Sequence, residues 1–76
     1  MKIKFIEVGR NKMTWESECP ANSVEELEYD WLYSHVKQKV FVMSNDLEFW
    51  LNDDMTSGSI TAGFRMIGEF QILKGE

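Results

Sequence analysis

The side chains able to do covalent chemistry are few. Cysteine and histidine each occur once, as Cys19 and His35, and Glu28 is the carboxylate that would complete a nucleophile, base and orienter with them. A thiolate needs a base beside it, and the base needs a third group to fix its tautomer. The spacing does nothing to bring the three together. Cys19 falls on the Met13/Trp15 side of an alternating segment, the side expected to face the core, where a free cysteine acts as a small hydrophobe. Asp46, Asp53 and Asp54 offer the clustered oxygens that hard cations prefer, without the alternate acids, central glycine and terminal glutamate of a calcium loop. Gly58, Gly63 and Gly68 recur in a strand-like region that lacks the following helix of a phosphate loop. A lone cysteine makes no internal disulfide, and with a lone histidine it makes no metal cage. The expectation is a protein that is not an enzyme and holds neither metal nor cofactor.

Binding chemistry is better represented. Thirteen acidic residues against eight basic ones give a net charge of −5. Residues 16–30 carry Glu16, Glu18, Glu25, Glu26, Glu28 and Asp30 with no base, and Asp46, Glu48, Asp53 and Asp54 form a second cluster. Lys2, Lys4, Arg10 and Lys12 collect in the first fifteen residues. A chain of this sign is repelled by phosphate backbones and anionic membranes, so no direct nucleic-acid or membrane partner is expected. Its field favours a basic partner surface, although acidic surfaces also simply keep small domains in solution. The longest apolar run, Val40–Met43, is far too short to span a bilayer. The charged start is not followed by a secretory apolar stretch, which predicts a cytoplasmic protein.

The elements that must position these groups can be read from periodicity. Lys2–Val8 and Met13–Cys19 alternate on either side of Gly9-Arg10-Asn11, predicting a β-hairpin that ends at Pro20. Ser23-Val24-Glu25-Glu26 has the form of a capping box, predicting one α-helix over about 23–35. On that helix Val24, Leu27, Trp31 and His35 share an inward arc, while Glu25, Glu26, Tyr29, Asp30 and Tyr33 occupy the other face. Val36–Met43 reads as a buried strand and Ser44-Asn45-Asp46 as a turn. Leu47, Phe49 and Leu51 alternate with Glu48 and Trp50; Ile60, Ala62 and Phe64 alternate with Thr61 and Gly63; and Met66–Lys74 is a further strand with a bulge or turn at Gly68. The fold class is α+β over a single domain, residues 1–76: an N-terminal hairpin, one helix, then three or four mainly antiparallel strands.

Two layouts fit this order. Over residues 1–43 the pattern of hairpin, Pro20 and capped helix resembles the ubiquitin-like β-grasp; the alternative is a single helix packed on a sheet. The end of the chain, Lys74-Gly75-Glu76, lacks the paired glycines of conjugated modifiers. In size, sign and absence of a catalytic motif the chain resembles the small inhibitors that phages encode against host nucleic-acid machinery, the anti-CRISPR proteins among them. That resemblance implies an inhibitor or modulator that sets an acidic-aromatic surface on a basic, nucleic-acid-binding surface of a larger protein, imitating phosphate spacing. The residues expected to carry it are Glu25, Glu26, Tyr29, Asp30, Tyr33, Glu48 and Trp50, because tyrosine and tryptophan concentrate at binding hot spots. Two other readings stand beside it. One is a structural or adaptor module of β-grasp-like fold that forms a homodimer through a sheet edge or the Trp50 face. The other is a single-strand binder stacking bases on Trp15, Trp50 and Phe64 beside the N-terminal bases.

Overall fold

The computed structural model describes residues 1–40 and 46–73. The alternating segments form strands β1 (Lys2–Val8), β2 (Met13–Glu18), β3 (Leu47–Leu51), β4 (Ser57–Ala62) and β5 (Arg65–Leu73). They make one sheet in the order β2-β1-β5-β4-β3, with every neighbouring pair antiparallel. Between β2 and β3 come a 3₁₀ turn (Val24–Glu26) and a helix, α1 (Tyr29–Lys39). The layout is therefore the single helix on a sheet: β1 and β5 run antiparallel at the sheet centre, where a β-grasp pairs its first and last strands in parallel.

The helix differs from the expected 23–35 in both bounds. Ser23 makes no side-chain cap; Glu26 instead reaches one residue further back, its Oε1 accepting from the Asn22 N–H at 3.0 Å. Leu27 and Glu28 are extended, so the first turn is a separate piece and α1 begins at Tyr29. At its other end, the stretch 36–39 is helix rather than strand, because Val36 and Val40 continue the buried stripe begun by Leu32. The remainder of the expected strand, Phe41–Met43, and the Ser44-Asn45 turn lie outside the described residues.

One face of the sheet receives the helix. Ile3, Phe5, Val8, Leu47, Ile60, Phe70 and Ile72 from the strands meet Leu32, Val36 and Val40, and Cys19 closes the cluster just after β2. Fully burying a ring such as Phe5 or Phe70 contributes about 2–3 kcal/mol, so this face dominates the stability. Two bulges shape the strands. In β1 the pairing shifts between Phe5 and Val8, and Glu7 takes a left-handed φ of 49°. In β5 Ile67 is the extra residue, immediately before Gly68, and its carbonyl accepts from the Gly9 N–H at 2.9 Å. The β1–β2 loop is thereby tied to the centre of the sheet.

Candidate functional site

β3 and the start of α1 together build the most distinctive surface. The period of two turns Leu47 and Phe49 inward and leaves Glu48 and Trp50 on the opposite, uncovered face of the sheet. The Trp50 indole N–H donates to Thr61 Oγ1 at 3.1 Å, which holds a ring that is 56% exposed. Tyr29 opens α1 and leans onto β3. Its hydroxyl donates to the Leu47 carbonyl, and its ring meets Phe49 edge-on with centroids 5.7 Å apart. Tyr33, one turn on, lies 5.9 Å from Tyr29, and the Lys37 ammonium stands 5.8 Å from the Tyr33 ring centre.

The β4–β5 connection completes the surface. Gly63 has a φ of +67°, which suits the first central position of a two-residue hairpin turn, and places Phe64 at the tip in full contact with solvent. Sequence alternation put Phe64 inside a strand with Ile60 and Ala62; the strand stops at Ala62 instead. The signal that marks the turn is Gly63. Tyr29, Asp46, Glu48, Trp50, Thr61 and Phe64 line a shallow, open depression of about 930 Å³. Burial raises the Tyr29 pKa, followed by its neighbour Tyr33 and by the carboxylates of Glu48, Asp30 and Asp46. The phenol thus stays protonated at neutral pH and keeps donating to β3, within the field of three acids drawn from the helix, the strand and the residue before it.

Of the seven residues read from the sequence, Tyr29, Asp30, Glu48 and Trp50 come together here, with Tyr33 half-buried beside them. Glu25 and Glu26 do not, because the extended Leu27–Glu28 link separates their turn from α1. Glu25 lines a different depression with Glu16, Glu18 and Asp54. Asp46 and Phe64 join the site through folding, the first by its place before β3 and the second by its turn.

The groups considered for catalysis are arranged for packing. Cys19 is buried. His35 stacks on Trp31 with centroids 4.8 Å apart and planes 7° apart, and Phe5 stacks on Trp15 at 4.9 Å. The Trp15 indole N–H donates to His35 Nε2 at 3.0 Å, and Ser17 Oγ lies 2.7 Å from the same nitrogen. An indole can only donate, so Nε2 carries the lone pair and the ring is neutral with its proton on Nδ1. Burial lowers the His35 pKa, and Lys39 adds to that, in the same sense. The Ser17–His35 distance is that of a nucleophile and its base, yet the one lone pair of Nε2 is shared with Trp15. Asp54 is engaged in its own turn, accepting from the Thr56 N–H at 3.0 Å, and β3 separates it from Asp46. Among the described residues no group of three or more metal-ligating side chains converges, and no helix is long and apolar enough to cross a membrane. The expected base-stacking set is split: Trp50 and Phe64 share this depression, while Trp15 is covered by Phe5 and His35 on the opposite face of the sheet.

Comparison with protein-family models, with curated proteins and with solved structures finds no match to this chain.

Proposed function

We propose that this protein is a small cytoplasmic, non-enzymatic binding module. It presents Tyr29, Asp30, Tyr33, Glu48 and Trp50, extended by Asp46 and Phe64, to a basic surface of a larger protein. The observation that carries this reading is the anchored Tyr29 phenol with three carboxylates around it and two exposed aromatic rings, Trp50 and Phe64, on the same depression. Rigid aromatic area at the centre of an acidic field is the composition of a hot spot for a positively charged partner. A surface that binds nucleic acid is positive by necessity, so occupying one would make the protein an inhibitor or modulator of the phage-encoded kind. Glu25 and Glu26 add to the long-range field from another side.

The test uses the partner captured from the source cells and then purified. Asp30→Lys combined with Glu48→Lys should weaken binding and flatten its salt dependence, and Trp50→Ala should cost about 2 kcal/mol, roughly thirtyfold in Kd. Equal affinity for all three proteins at every salt concentration would overturn the proposal. A second reading draws on the exposed Trp50, Phe64 and Met66 side chains: self-association as a structural module. Sedimentation distinguishes the two, since a dimer lost in Trp50→Ala and indifferent to the helix and strand charges supports the second.

A further inference from the structure

We infer that the open edge of β3 is a docking site for an extended, lysine- or arginine-rich segment of a partner protein, which pairs with it as an added strand. This rests on the acidic-surface reading above and adds how the partner is held.

The ladder shows which backbone groups are open. The Asp46 carbonyl accepts from the Gly63 N–H at 3.0 Å, and the Asn52 N–H donates to the Ser57 carbonyl at 2.8 Å. The even-numbered residues from 46 to 52 therefore turn their backbone groups toward β4, and the odd-numbered ones turn away. Tyr29 occupies the outward carbonyl of Leu47. The N–H and C=O groups of Phe49 and Leu51 remain, and among the described residues no strand pairs with them. Trp50 on one face and Leu51 on the other are exposed enough to receive alternate side chains of an incoming strand.

Charge decides the occupant. At the other edge of the sheet, Glu18 of β2 pairs with the terminal ammonium of Met1 at 3.0 Å, and Glu16 and Glu18 stand in register opposite Lys4 and Lys2, so bases face the acids there. On β3, Glu48 stands opposite Thr61. Asp30 lies at one end of the strand, and Asp53 and Asp54 follow its other end. A second copy pairing edge to edge would bring these carboxylates against their own kind. A basic segment would neutralise them.

The experiment titrates the full protein with a lysine–valine alternating peptide of about ten residues and with the same peptide N-methylated throughout. Methylation keeps the charges and removes every ladder donor. Binding is followed by anisotropy at low and moderate salt, by the amide signals of Phe49 and Leu51, and by sedimentation. The expected result is salt-dependent binding that shifts those two amides, weakened about tenfold or more by methylation, the equivalent of losing a pair of ladder hydrogen bonds. Equal binding of both peptides would overturn the added-strand inference and leave the acidic docking surface standing. No binding of either peptide, with the protein sedimenting as a dimer that protects Phe49 and Leu51, would overturn both.

Discussion

Gly58 offers a sharp test of how tightly β3 is held against the sheet. A Cβ added at this position would lie 2.2 Å from the Trp50 carbonyl oxygen and 2.5 and 2.7 Å from two atoms of the Phe70 ring. The ring cannot retreat freely, because Phe70 is 2% exposed and meets Phe49 edge-on at 6.4 Å. The carbonyl can move only if β3 moves relative to β4. Overpacking of this kind costs about 1–3 kcal/mol, and the backbone contact puts Gly58→Ala at the upper end, about 3 kcal/mol. A chain of this length has roughly 4–11 kcal/mol in total, so the loss is a large share, equivalent to a fall in Tm of about 15 °C. Urea unfolding followed by tryptophan emission measures it. The double variant Gly58→Ala/Phe70→Leu relieves the ring contact and leaves the carbonyl contact. It should therefore remain less stable than Phe70→Leu alone. Full recovery to the Phe70→Leu value, or a loss below about 0.5 kcal/mol in Gly58→Ala, would refute the claim that strand backbone fills this space.

Three further outcomes are expected. The lowered His35 pKa means that the folded state binds its proton less readily than the unfolded chain, so stability is complete above about pH 6.5 and falls as pH drops through the folded value. Unfolding curves across that window should show a loss of at most about 1.4 kcal/mol per pH unit from this group, absent in His35→Gln. Tyr29→Phe leaves the Leu47 carbonyl without its donor at a half-exposed site, which should cost about 0.5–1 kcal/mol by urea titration; no loss would mean the hydroxyl does not brace β3. Glu7→Gly should stabilise by about 0.5–1 kcal/mol by thermal melting, since a left-handed conformation costs a non-glycine residue about 1–2 kcal/mol.

Much of the sheet was legible because its alternation is strong. Lys2–Val8, Met13–Glu18 and Leu47–Leu51 appear as strands, with Leu47 and Phe49 of β3 inward and Glu48 and Trp50 outward as read, while Leu51 at its end is exposed; Cys19 is buried. The helix was harder. Ser23-Val24-Glu25-Glu26 carries the letters of a capping box, but Asn22 rather than Ser23 supplies the N–H that Glu26 accepts from, and a two-residue extended link then restarts the helix. That offset rotates the buried stripe from Trp31 and His35 to Leu32 and Val36. Tyr29 and Tyr33 are thereby swung toward β3, and Trp31 and His35 toward β2. Strand order and the meeting of Tyr29 with Asp46, Glu48 and Phe64 depend on contacts far apart in the chain, which local periodicity does not encode.

The pairing of β1 with β5 bears on how the molecule is made. Among the described strands, β1 has its hairpin mate β2 close by in sequence, but its other neighbour is β5, the strand farthest from it along the chain. Until β5 is in place, the β1–β2 and β3–β4 hairpins are two half-sheets with raw apolar faces, and the helix has no continuous floor to rest on. Closure is therefore a late, long-range event that slows folding, and a chain stopped short of β5 would offer proteases two halves in place of one body.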